Sequence, residues 1–176
     1  MARTPLFSRI QPGGVFTITD PGFTPGDVFF VHSGTGTDGA GYGKNPDAPV
    51  ATIDYAIGLC TANKSDVIYV MPGHNEGLGN AQITVDVAGI SIVGLGQGAD
   101  APRIDFDHAN ASIDITANGC RLENLRLLTS VTAELIAIDV TADDTLLKKI
   151  VTLSGEDGAG VDEFAETVEI NAGSDR

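Results

Sequence analysis

Tryptophan is absent from these 176 residues, cysteine occurs twice, and bases are scarce, with ten Lys and Arg against 24 Asp and Glu. Each shortage removes a class of function. A formal net charge of -14 repels phosphate backbones, which excludes nucleic acid as a partner. Cys60 and Cys120 lack metal-type spacing and read as small buried hydrophobes. The longest strictly apolar run, residues 67–71, is far too short to cross a bilayer. The opening MARTPLFSRIQPGG holds no apolar h-region, so the expectation is a soluble chain made in the cytosol without a signal peptide. What is present is 42% hydrophobic residues and 22 glycines, with the acid spread singly instead of in blocks. That composition suits one folded domain with a solvated surface.

Residues 1–26 form a separate stretch. Four prolines and four glycines, Pro5 to Gly26, exclude a helix and leave an extended arm. Leu6, Phe7, Ile10, Val15, Phe16 and Phe23 punctuate it, and they are the candidate partner-binding residues. An apolar extended arm lies either on its own domain or on a partner, by strand addition or groove filling.

Residues 27–176 read as the domain proper. DVFFVHSG is a strand, followed by the glycine loop GTGTDGAGYGKN. Val50, Ile53, Ile57 and Cys60 then recur as a helical stripe, with Thr52 as N-cap and Asp54 in the first turn, which predicts one helix over about 52–62. From Asp66 onward short β-rich pieces alternate with Gly, Asn, Asp and Pro turns. Ile68, Ile92, Leu122 and Ile150 sit 24, 30 and 28 residues apart, and Ile113, Ile138 and Ile170 sit 25 and 32 apart. Such a period without helices predicts a β-solenoid, in which stacked coils share one inner core. Ile113, Ile115, Ile136 and Ile138 would point inward, with Asp114 and Asp139 outward. A β-sandwich is the competing class. The helix before the first coil favours the solenoid, whose open N-terminal end needs a cover.

The order of these pieces carries a resemblance. The run SGTGTDGAGYGKNPDAPVATIDYAIGLC, then SDVIYVMPGHNE, then ITVDVAGISIVGLGQGADAPRIDF resembles the opening of right-handed parallel β-helix proteins of the pectate-lyase-like superfamily. It covers residues 27 to about 130. The resemblance implies an all-β, right-handed parallel β-helix with one short capping helix. It implies no particular activity, since that superfamily holds lyases, hydrolases, tailspikes and inert virion scaffolds.

No chemical motif survives inspection. Gly34, Gly36 and Gly39 match a dinucleotide fingerprint, but no helix opens at once behind them. A P-loop fails at Asp38 and Asn45. Gly34, Gly36 and Asp38 mimic one calcium-binding repeat without the successors that would cage an ion. The loop therefore reads as a turn over the helix. His32, His74 and His108 are scattered, and the best catalytic cluster available is Asp105, Asp107 and Asp114 with Arg103 nearby. Leu125, Leu127 and Leu128 put apolar groups on both faces of one strand, as core packing or a subunit contact would. Near the C-terminus, the strand around Val168–Ala172 lacks a cap, which a neighbouring subunit or further chain would supply.

Taken with the proline-rich arm, the whole chain is similar to β-helical structural proteins of tailed phages. That likeness implies a non-enzymatic virion protein without cofactor or metal, made in the host cytoplasm. The specific expectation is capsid decoration, the arm gripping the major capsid protein or another virion protein. A homotrimer follows by analogy, and no membrane partner is expected. Two alternatives stand beside it: a tail-associated adhesin or tailspike fragment, and a polysaccharide lyase or glycoside hydrolase using the three aspartates.

Overall fold

The computed structural model describes residues 7–10, 16–18, 26–131, 136–154 and 164–171. Strands β1 (Phe7–Ile10) and β2 (Phe16–Ile18) pair antiparallel, Phe7 opposite Ile18 and Ile10 opposite Phe16. They form a two-stranded sheet of their own. All other strand pairings between named elements are parallel, as coils stacked in a solenoid require.

Strand β3 (Val28–Val31) opens the stack, and the helix α1 (Ile53–Leu59) follows the glycine loop. The first coil is β4 (Val67–Val70), β5 (Asn75–Gly77) and β6 (Gln82–Val85). The second is β7 (Ser91–Gly94), β8 (Arg103–Phe106) and β9 (Ser112–Ile115). The third is β10 (Arg121–Thr129) with β11 (Ile136–Val140), and β12 (Leu146–Ser154) with β13 (Glu166–Ile170) lies on it. The path from β4 to β12 thus makes about three turns. In-register steps run from Val67 to Ser91, Arg121 and Leu146.

Alternation within each short strand decides what faces inward. Phe29, Ile68, Ile92 and Leu122 stack in one inner ladder, each no more than 2% exposed. Ile83, Ile113 and Ile138 form a second, and Val85, Ile115 and Val140 a third. Each such side chain contributes about 1.5–3 kcal/mol through burial, before the entropy of ordering the chain. Asp114 and Asp139 point outward, as the alternation predicts.

Several expectations shift in detail. Ile150 pairs with Leu125, and Leu147 takes the place opposite Leu122. Val168 pairs with Ile138, while Ile170 faces Val140. Coil length varies because loops of different size leave the corners, so spacing between like residues misassigns the last coil. Ile136 is only half-buried; Ala137, Ile138 and Val140 are the buried residues of β11. The helix stops at Leu59, where Cys60 becomes extended, and Asn63 and Ser65 follow in left-handed conformations that no helix continues through. Val50 lies ahead of the helix and bridges Val31 in parallel instead.

The nine residues of β10 turn a corner. Arg121–Glu123 pair with β7 and Arg126–Thr129 with β8. Between them Asn124 adopts φ 59, a left-handed value that Asn tolerates better than most residues. Its side-chain amide donates to the carbonyls of Gly94 (2.7 Å) and Gly96 (3.1 Å) in the coil before. A Cβ on Gly94 would lie 2.1 Å from the Asn124 carbonyl oxygen, so glycine is required there. Leu125 and Leu127 are core residues, and Leu128 is half-exposed on the outer face.

Of the arm residues, Phe7, Ile10 and Phe16 fall on the two hairpin strands. Leu6, Val15 and Phe23 lie outside the described residues. Among the described residues no helix is long and apolar enough to cross a membrane.

Candidate functional site

Three carboxylates near the capping helix, Asp38, Glu76 and Asp66, each accept two or more hydrogen bonds. Asp38, in the glycine loop, accepts from the Ala51 (2.7 Å) and Thr52 (3.2 Å) backbone amides through Oδ1 and from the Thr52 hydroxyl (2.8 Å) through Oδ2. Thr52 in turn caps the helix by accepting from Tyr55 N–H. Both Asp38 oxygens therefore serve protein donors, and the loop is a brace for the helix start. Gly36 fits against the Val50 carbonyl so closely that a Cβ would lie 2.2 Å from it.

Glu76 stands on an inward position of β5, opposite Ile104, and is 8% exposed. Its Oε2 accepts from Ile53 N–H at 3.1 Å and from His74 Nε2 at 3.0 Å. Ser33 N–H donates to His74 Nδ1 at 3.0 Å. That donor fixes the tautomer, with the ring proton on Nε2 and directed at the carboxylate. Both ring nitrogens of the buried His74 are thereby engaged. Asp66, 1% exposed, accepts from the amides of Asp27 and Thr61, both at 2.7 Å. The exposed Asp38 ties the start of α1 to the glycine loop, while the buried Asp66 and Glu76 tie α1 and its flanks to β3 and the first coil; buried carboxylates so bonded read as structure.

The aspartates with catalytic potential do not converge. Asp105, on β8, is held by Arg103 through two contacts of 2.7 and 2.8 Å. Asp107 follows that strand and accepts from Gly79 N–H at 2.6 Å. Asp114 belongs to a different sheet, where Ser112 Oγ donates to it at 2.7 Å. Stacking instead aligns Thr84, Asp114, Asp139 and Glu169 in one outward row. The sequence period contained that row, but its members became neighbours only once the register was known. Asp114 and Asp139 line a groove of about 300 Å³ with Gln82, Asn110, Ser112 and Ile136. Among the described residues no cationic side chain and no aromatic ring lines it, so its two carboxylates have neither a basic partner nor a stacking platform beside them.

His32 and His74 come near each other through adjacent residues, and His32 Nδ1 lies 2.9 Å from Thr35 Oγ1. Among the described residues no group of three or more His, Cys, Asp or Glu could hold a metal ion. Both thiols are free. Burial, reinforced by the charges of Asp66 and Asp27, pushes the Cys60 thiol up to about 12, and burial also raises that of Cys120. On the outer face of β10 and β12, Glu123 is paired with Lys148 at 2.8 Å and with Arg121. The Lys148 hydrogen bond, then Arg121, holds the Glu123 carboxyl below its ordinary range against the opposing effect of desolvation.

The chain matches no protein-family model, no curated protein and no solved structure at a significant level. Its likeness to parallel β-helix proteins rests on the order of its sequence pieces and on the solenoid itself.

Proposed function

We propose that the chain is a non-enzymatic structural protein of a tailed-phage virion, a decoration protein that attaches to the capsid shell through residues 1–26. The observation that carries this reading is the β1–β2 hairpin, which forms a sheet separate from every strand of the solenoid. A lone two-stranded hairpin is marginal in water and gains stability when its apolar residues find a surface. Phe7, Ile10, Phe16 and Ile18 supply such residues. Leu6, Val15 and Phe23 extend the same character along the segment. Charge separates the arm from the rest as well. Arg3 and Arg9 precede the first acid of the chain, Asp20, whereas the remainder is strongly acidic. An apolar, basic arm beside an acidic body suits attachment through the arm, with the acidic coils turned to solvent. The engagement of the acids around α1 in structural hydrogen bonds supports a binding role over a catalytic one. Assembly as a homotrimer belongs to the same proposal.

Co-sedimentation with empty phage capsids tests it. The full chain is compared with one lacking residues 1–25, which retains the Gly26 N–H bond to Ser65. Pelleting of the full chain alone supports the arm as anchor. Failure of both to pellet removes decoration, and equal pelleting of both removes the arm.

A further inference from the structure

The second coil is longer than its neighbours because it leaves the stack at one corner. Between β7 and β8 the chain runs through residues 95–102, including a 3-10 turn at Gly98–Asp100. In the coils above, the same corner is turned by Asn124 and by Lys149, both left-handed, with φ 59 and 54. The excursion therefore stands as a wall beside that corner. A groove of about 240 Å³ lies between them, lined by Gly98, Ala101 and Asn124, by the exposed side chain of Val151 and by the cationic Arg126 and Lys149.

The charge of this groove runs against the rest of the molecule. Lys44, Arg103, Arg121 and Lys148 each have a carboxylate partner. Among the described residues Arg126, Lys149 and Lys64 have none, and of these three Arg126 and Lys149 line this groove. Arg126 is instead oriented by donating to the Ala99 carbonyl at 3.1 Å, which leaves its remaining donors free. The two adjacent lysines divide: Lys148 is neutralised by Glu123, while Lys149 lines the groove. Lys149 also holds a backbone conformation that an unbranched cationic residue adopts at a penalty, where glycine would be relaxed. Among the described residues no carboxylate lines the groove.

We infer that this groove binds a small organic anion with an apolar body, an aliphatic carboxylate in chemical class. The carboxylate pairs with Arg126 and Lys149, and the hydrocarbon lies on Val151 and the aliphatic stems of the two cationic side chains. The site is independent of the arm and of the attachment proposed above.

Titration of the full chain with hexanoate, followed by amide NMR shifts, reads the site directly. Saturable shifts centred on Leu125, Arg126 and Val151 are expected. Acetate, lacking the apolar body, should bind about tenfold more weakly, and hexylammonium should not bind there. Lys149→Gly should weaken hexanoate about fivefold while raising the unfolding midpoint, because it relieves the left-handed backbone. Loss of affinity in that variant is then not a loss of fold. Lys148→Ala, which removes the paired lysine, should leave affinity unchanged. The inference is overturned if no saturable shift occurs at these residues, if Lys149→Gly binds as well as the parent, or if acetate or hexylammonium equals hexanoate.

Discussion

The two ends of the solenoid handle the same problem in opposite ways. At the N-terminal end the outer edge of β3 is covered: Phe30 N–H bonds the Gly43 carbonyl, and Val50 exchanges hydrogen bonds with Phe30 and His32. Helix α1 lies over the inner ladders with Ile53, Ala56 and Ile57 buried. At the other end, β12 pairs only with β10 and β13 only with β11 among the described residues. There Leu146 is 50% exposed, Val151 44% and Ile170 76%. An acidic chain can place acids anywhere on its surface, but among the described residues the buried carboxylates, Asp66 and Glu76, lie at the closed end. Those carboxylates collect backbone N–H groups that irregular loops leave unpaired, a need that a regular parallel ladder does not have.

The sharpest way to break this contrast is to remove a closing carboxylate. Asp66→Ala leaves two buried amides without their acceptor and should cost about 3 kcal/mol in urea unfolding. Glu76→Ala frees the Ile53 amide and the His74 ring proton, with an expected loss of about 2 kcal/mol. A loss below about 0.5 kcal/mol in both would mean that loops and water replace the carboxylates easily. At the open end the same style of change should barely register. Ile170→Ser is expected to stay within about 0.5 kcal/mol, and a larger loss would show that something covers it.

The thiols sharpen the contrast chemically. With its thiol held near 12, Cys60 is almost wholly protonated at pH 8. Native protein should therefore react with iodoacetamide far more slowly than protein in urea. Rapid labelling of the native chain would mean that the end of α1 opens readily. The smallest effect concerns Glu123, which links β10 to β12. Its folded carboxyl sits below its ordinary value, so the stability it contributes is present above the unfolded carboxylate range and is lost as pH falls through the folded value. Glu123→Gln should flatten the acid limb of a stability-versus-pH curve slightly. An unchanged limb would remove this pair from the account.

Much of the solenoid was legible in the sequence because inner ladders repeat one residue class at every coil. Ile68, Ile92 and Leu122 could be aligned by period alone. The last coil could not. Its corner is turned by a single left-handed residue, Lys149, and nothing in the identity of a lysine announces that conformation. The bracing role of Asp38 was hidden for a related reason, since its partners lie 13 and 14 residues away across a glycine loop. Glu76 and His74 were visible only as letters within PGHNE; their pairing with Ser33 and Ile53 depends on how β3 and β5 come together. Periodicity reports side chains that repeat, whereas single polar braces occur once.

The asymmetry of the two ends is tested most directly by native-state hydrogen exchange, resolved by residue. The account predicts that the amides of β3 and β4 exchange only through global unfolding, while those of β13 exchange through a cheaper local opening. Equal protection at both ends, or earlier exchange in β3 than in β13, would contradict it.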